Sequence, residues 1–238
     1  MNIALIGYGR MGKEIEKIAL ERNHKIVLKI DINNIDKFTI ENLSKVDVAI
    51  EFSIPETAYS NILKCMDADI PVISGTTGWL NKIEDIKTKC KLENKTFFYA
   101  SNYSIGVNIF FKLNKFLATI MNNQNQYNVE VEEIHHIKKL DAPSGTAITI
   151  AEGLLHELER KNQWNKENEE AYDAIAIKSV RKGDIAGVHK VKYESQFDEI
   201  EISHSAKNRK GFALGVVLAS EYIKDKTGFH TMDDMLKF

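Results

Sequence analysis

Four side chains that can carry positive charge fall within five positions of one segment, His135-His136-Ile137-Lys138-Lys139, in a chain of formal net charge -2. An imidazole handles protons near neutral pH, and an ammonium balances anionic charge. Asp141-Ala142-Pro143 then turns the chain, and Ser144 is placed to cap a following helix. That sets the backbone N–H groups of Gly145 and Thr146 at a helix start, where a carboxylate can be received. The plain alternative is a solvated basic turn. Adjacent histidines in a strand point to opposite faces, so one of the two can be a packing residue. No further ligands stand at zinc-site spacing, so no metal is expected. The constellation suits a small anionic molecule undergoing reduction, with the hydride carried by a cofactor.

A second group of residues could hold that cofactor. Gly7-Tyr8-Gly9-Arg10-Met11-Gly12 has the glycine spacing of a dinucleotide loop. Gly7 permits the tight turn, Gly9 lets a pyrophosphate approach the backbone, and Gly12 lets helix pack on strand. Asp31 closes the next strand, at the place where a carboxylate binds the adenosine ribose hydroxyls. Ile32, Asn33 and Asn34 follow it, so a ribose phosphate lacks an obvious clamp unless Arg10, Lys29 or Lys37 supplies one. Gly75-Thr76-Thr77-Gly78 and Ala100-Ser101-Asn102-Tyr103 directly follow two later strands. Loops at the carboxyl ends of parallel strands are where ligands sit in such folds.

The elements that must position these residues can be read from periodicity. Short apolar runs at 2–6, 25–30, 46–52, 71–74 and 96–100 read as strands. Helical patterns fall between them: Met11, Ile15, Ile18 and Ala19 share one face, and 55–66 and 79–92 follow the same logic. This alternation predicts an α/β fold with a parallel sheet covered on both faces. The rhythm then changes. A helix is expected at 104–123, a strand at 127–136 and a helix at 147–158. Residues 161–170 are polar and read as an exposed loop. Strands at 174–180, 189–195 and 199–206 follow, the last two as a hairpin, and 211–224 is helical. Strands in sequence without intervening helices predict a second, α+β domain. The expected division is 1–103 plus 212–238 for dinucleotide binding and 104–211 for substrate binding.

Bulk properties set limits. The 238 residues are 43% hydrophobic and 28% charged, enough for a real core. No global basic excess draws the chain to nucleic acid or to an acidic membrane. Cys65 and Cys90 lack partners at redox or metal spacing and read as buried or half-buried thiols in a reducing compartment. No apolar run approaches membrane-spanning length, and the N-terminus lacks a signal-peptide pattern, so a cytoplasmic protein is expected.

The segment Glu133-x-His135-His136-x-x-Lys139-x-Asp141-Ala142-Pro143-Ser144-Gly145-Thr146-Ala147 resembles the signature of the 4-hydroxy-tetrahydrodipicolinate reductases, also called dihydrodipicolinate reductases. Other blocks agree in order: the Gly-Arg-Met-Gly loop, Glu51-Phe52-Ser53 with Pro55, Gly75-Thr76-Thr77-Gly78, the stretch from Asn102 to Asn108, and Arg181-Lys182-Gly183-Asp184-Ile185-Ala186-Gly187. The resemblance spans nearly the whole chain. It implies a Rossmann domain plus a substrate domain whose sheet assembles a homotetramer. It implies NADH or NADPH as cofactor and a reaction in lysine biosynthesis by the diaminopimelate route. His135 would be the acid/base residue and Lys139 a proton donor. His136 would bind substrate, and Gly145 with Thr146 would hold a substrate carboxylate. Gly7, Tyr8, Gly9, Arg10, Met11, Gly12, Asp31, Gly75, Thr76, Thr77, Ala100, Ser101, Asn102 and Tyr103 would hold the cofactor. Arg181 would support the site or the assembly. Many members have a first loop one residue longer, and many carry arginine where this chain has Ile32, which weighs against strong NADPH use. Two rivals are another Rossmann oxidoreductase and a nucleotide-sensing regulator. The first would have no reason to carry residues 141–146 beside paired histidines. The second should lose His135 and Lys139.

Overall fold

The computed structural model describes residues 1–166 and 171–238. These form two compact units, Met1–Ile105 with Lys210–Phe238, and Gly106–Arg209.

The first unit opens with β1 (Asn2–Ile6), α1 (Arg10–Glu21), β2 (Lys25–Ile30), a short α2 (Ile40–Leu43), β3 (Val48–Glu51), α3 (Pro55–Asp67), β4 (Val72–Ser74), α4 (Ile83–Glu93) and β5 (Thr96–Tyr99). Then come α5 (Ile105–Met121), β6 (Asn128–His135), α6 (Gly145–Glu157), β7 (Gln163–Lys166), β8 (Ala174–Arg181), β9 (Gly187–Glu194) and β10 (Glu199–Ala206). The chain ends with α7 (Lys210–Ile223), β11 (Gly228–His230) and α8 (Met232–Leu236).

The first sheet has the order β11-β5-β4-β3-β1-β2, and its pairs are parallel. β3 and β4 are buried throughout, which explains their apolar runs Val48–Ile50 and Val72–Ile73; each ends in a buried polar residue, Glu51 and Ser74. Successive residues of β1 serve opposite faces. Ala4 and Ile6 join a core with Ile62 of α3 and Ile86 of α4. Ile3 and Leu5 join another with Ile15 of α1 and Val216 of α7. Strand order reverses between β1 and β3, and a crevice opens at the carboxyl ends where the order reverses.

The second sheet has the order β10-β9-β6-β8-β7. β6 runs antiparallel to β9 and parallel to β8, so the sheet is mixed. Phe110, Ala118 and Met121 of α5 and Ile150 and Leu154 of α6 pack with Val129, Val131, Ile177 and Val191. Burial alternates along β6 as period two demands, so Val129, Val131, Glu133 and His135 form one inward row.

Two expectations need correction. Residues 163–166, read as part of a polar loop, form the edge strand β7 paired with β8. Gln163, Asn165 and Lys166 are polar, as an edge strand allows, and Trp164 alone packs on the core, so a hydrophobicity reading missed the strand. The rest of that loop, 167–170, lies outside the described residues. The C-terminal stretch, left without structure past 224, adds β11 to the first sheet and ends in α8, whose Thr231 and Asp234 form a capping box.

Tyr103, expected at the cofactor, has its ring wholly buried against Phe98, Phe52 and Phe212. Its hydroxyl donates to the Ser74 carbonyl at 2.7 Å. Any contact from this side chain to a ligand is therefore closed off. Replacing Tyr103 by Phe removes the donor to a buried carbonyl and should cost about 1–2 kcal/mol in urea unfolding; an unchanged midpoint would show that the bond contributes nothing.

Candidate active site

Glu133 and His135 sit two apart on the inward row of β6, at its carboxyl end. Glu133 is fully buried. Its Oε1 accepts from Arg181 Nη2 at 2.9 Å and from the Ser144 backbone N–H at 3.1 Å. Its Oε2 meets His135 Nδ1. Burial alone would raise the Glu133 pKa, but contacts from His135, Arg181, Ser179 and Ser144 outweigh it and hold the carboxyl well below the usual range. The carboxylate thus stands against the Nδ1 edge of the His135 ring, and Nε2 lies on the opposite edge. Gly187 lies beside that atom; a Cβ there would stand 3.0 Å from His135 Nε2.

Arg181, at the end of β8, also anchors the next loop. It donates to the Asp141 carbonyl at 2.6 Å and to the Lys139 carbonyl at 3.3 Å. Within that loop Lys139 Nζ bonds both Asp141 carboxylate oxygens at 2.8 Å. The Asp141 pKa is lowered: burial raises it, and the Lys139 ammonium outweighs burial. The chain passes through a cis Ala142-Pro143 bond into α6. Ser144 caps that helix, accepting from the Ala147 N–H at 3.2 Å, as its residue type led us to expect. Gly145 is exposed with open space beside it, and Thr146 is half-buried. His136 lies just past β6 and is half-buried.

His189 was not foreseen. It comes from the inward row of β9, its ring 5.1 Å from that of His135, with Nε2 3.4 Å from Ser144 Oγ. Burial first, then the neighbouring His135 charge, push its pKa down to about 4. The alternation of Gly187, His189, Val191 and Tyr193 was the signal that could have placed it inside. Glu133, His135 and His189 bring three possible metal-ligand atoms within 4.8 Å of one another. The Arg181 guanidinium already holds the cation's place on that carboxylate.

In the first unit the glycine loop runs from β1 into α1. Gly7 has φ +93°, and a Cβ there would stand 2.0 Å from the Phe52 carbonyl oxygen. Nothing lies within 4 Å of the Gly9 Cβ position, so that backbone is open to a ligand. Gly9 precedes α1 with no side-chain cap on the helix N-terminus. Gly7, Gly9 and Asp31 line a cavity of about 450 Å³ with Ile32, Ile35, Phe52, Ser53 and Ile54. It lies at the reversal of strand order. Asp31 is held in a tight turn: its Oδ1 accepts from the Asn33 N–H at 2.7 Å, and its own N–H donates to Asn34 Oδ1 at 2.8 Å.

The other expected cofactor residues are placed as follows. Arg10 is exposed, Met11 packs against the core, and Gly12 is buried beneath the Gly7 carbonyl. Tyr8 bonds Glu16, which pairs with Lys29 at 2.6 Å. Lys29 is therefore engaged, whereas Lys37 is exposed. Gly75 rests on the Phe52 ring; Thr76 is buried and Thr77 exposed. Ala100 is buried, Ser101 exposed and Asn102 half-buried, with Oδ1 accepting from the Ser104 N–H at 2.9 Å. The described residues thus give the chain a proton-handling cluster in one unit and an open glycine loop in the other.

Two family models cover nearly all of the chain: "Dihydrodipicolinate reductase, N-terminus" over residues 1–103 and "Dihydrodipicolinate reductase, C-terminus" over 106–236. The chain is 50% identical over 236 residues to the 4-hydroxy-tetrahydrodipicolinate reductase of Christiangramia forsetii, covering 99% of this chain and 98% of that relative. It is 36% identical to the enzyme of the same name from Lawsonia intracellularis, with 99% of each chain covered. Among solved structures, the dipicolinate-bound dihydrodipicolinate reductase of Paenisporosarcina sp. TG-14 shares the fold, with a TM-score of 0.78, 22% identity and 98% of each chain covered. A glycine loop alone would fit many dehydrogenases, but together with the His135–Lys139 segment and matches that run from end to end it shows that this chain belongs to the dihydrodipicolinate reductase family.

Proposed function

We propose that the chain reduces 4-hydroxy-tetrahydrodipicolinate to tetrahydrodipicolinate with NADH or NADPH, in lysine biosynthesis by the diaminopimelate pathway. The observation that carries this reading is the His135–Glu133–Arg181 arrangement, which anchors the Lys139 loop and leads into the α6 N-terminus. A nucleotide sensor would have no need of it. Residues 1–103 with 212–238 serve the cofactor, and 104–211 serve the substrate.

The first unit fits a nicotinamide dinucleotide. Gly7, Gly9 and the uncapped α1 N-terminus suit the pyrophosphate, with Gly75, Thr76, Ala100 and Asn102 at the ends of neighbouring strands. Asp31 suits the ribose hydroxyls, and exposed Ile32, Ile35 and Ile54 suit an apolar ring beside it. When bound, the dihydronicotinamide supplies the hydride. The chain's own residues manage charge and protons. His136, Gly145 and Thr146 hold the dicarboxylate. His135 presents Nε2, with Nδ1 held by Glu133, and Lys139 delivers a proton from a loop that Arg181 anchors. His189, neutral at working pH, adds no second charge to the cluster.

The reading includes a cytoplasmic homotetramer. The outer face of the second sheet supports assembly: Lys192 pairs with Glu130 at 3.0 Å and Lys190 with Glu201 at 3.3 Å, a mesh of both signs that can meet its own copy.

Three measurements test this. Purified protein should oxidise NADH only when substrate, made fresh from pyruvate and aspartate semialdehyde, is present. NADPH should be the poorer cofactor, because Asp31 repels a ribose phosphate and Lys29 is engaged by Glu16; no oxidation with either cofactor would reject the reading. Lys139→Ala should lower kcat by about a hundredfold or more with folding intact, and equal turnover would end its role as proton donor. His189 binds a proton in the unfolded chain near its ordinary value of about 6.5 but in the folded chain only near about 4. Its contribution to stability is therefore complete above pH of about 6.5 and lost as pH falls towards about 4. Urea midpoints for His189→Asn should fall less steeply across that window than those of the parent; identical slopes would remove His189 from the acid response.

A further inference from the structure

The first unit contains a buried carboxylate that the mechanism above does not use. Glu51 ends β3 and is fully buried. Its hydrogen-bond partners are neutral. Oε1 accepts from the Ser53 backbone N–H at 2.9 Å, from the Ser53 hydroxyl and from Thr76 Oγ1 at 3.0 Å. Oε2 accepts from Ser74 Oγ at 2.7 Å. A buried carboxylate is costly unless its oxygens are satisfied, and an apolar residue would fill the space at less cost. What the carboxylate adds is a junction. Ser53 stands in the loop after β3, and Ser74 and Thr76 stand at the end of β4 and just beyond it.

That junction borders the nucleotide cavity. Ser53 lines it directly, as does Asn61, whose Nδ2 donates to Ser53 Oγ at 3.2 Å. Phe52, between Glu51 and Ser53, fits against two other loops. Its carbonyl closes on Gly7, and its ring lies under Gly75. Displacing residues 51–53 by a fraction of an ångström would therefore disturb the turn at Gly7 and the seat of Gly75 together.

We propose that Glu51 is a positioning residue for the nicotinamide cofactor, its carboxylate aligning the loops that follow β1, β3 and β4. This rests on the reductase reading. Glu51 acts through hydrogen bonds rather than through charge, since Gln can keep an oxygen towards Ser53 N–H and turn its amide nitrogen towards Ser74 Oγ.

The test is NADH affinity, read by fluorescence titration of the folded, full-length variants alongside steady-state kinetics. The parent must first bind NADH; if it does not, the reductase reading fails before this proposal is reached. Glu51→Ala should raise the Kd and KM for NADH by about tenfold, while kcat and the KM for the dicarboxylate stay within about twofold. Glu51→Gln should recover most of the affinity. A purely structural role would lower the melting temperature of Glu51→Ala without this KM-against-kcat split. Should Glu51→Ala fail to fold, Ser74→Ala removes only one donor and should weaken NADH by about threefold. Parent-like NADH affinity in every folded variant among Glu51→Ala and Ser74→Ala, or an equal loss in Glu51→Gln and Glu51→Ala, would overturn the proposal.

Discussion

A carboxylate without water must be answered by charge and hydrogen bonds, and Glu133 is answered from every side. Its two oxygens meet a guanidinium from β8, an imidazole from its own strand and a backbone N–H from the entry to α6. Removing one partner would leave charge uncompensated in a medium that cannot screen it. The ends of β6 and β8 and the start of α6 are therefore bound to one another by a single side chain. The Lys139 loop joins them through the carbonyls that Arg181 also serves. The orientation of the imidazole and the placement of the ammonium follow from satisfying this one buried anion.

The first unit solves a related problem with different means. Its crevice arises from topology: the order of the parallel strands reverses between β1 and β3, so the loops that follow them diverge. Diverging loops need alignment if they are to receive one extended ligand. Here close backbone packing at Gly7 and a hydroxyl-lined carboxylate at Glu51 do what the Arg181 ion pair does in the second unit. Asp31 and its two asparagine neighbours form a turn already closed by their own hydrogen bonds. A ligand received there would need little reordering of the chain.

Much of this was legible in the sequence, for reasons that can be stated residue by residue. The glycine spacing was readable because backbone geometry at Gly7 permits little else. The β1-to-β5 alternation was readable because central strands covered on both faces carry short apolar runs. Ser144 as a cap followed from its type and position. The partners of the catalytic candidates were harder. Glu133 and Glu51 look like any other charged residue until the fold removes their solvent. His189 reaches His135 only through the pairing of β6 with β9, a register that no local pattern specifies. Strand β7 escaped because an edge strand need not be apolar. For Tyr103, sequence position after β5 fixes the backbone but not the direction of the ring, which turns into the core.

The division of the chain also orders events in time. The first unit includes α7, β11 and α8, which follow the whole of the second unit in sequence. On a ribosome, where segments emerge from the N-terminus onward, residues 106–209 are fully synthesised before the strand and helices that complete the earlier unit exist. The nascent Met1–Ile105 segment must therefore wait with the face of its sheet that α7 will cover still bare. The part of the protein that is made first is the part that can be finished only last: until α7 emerges, that face has only α1 to cover it.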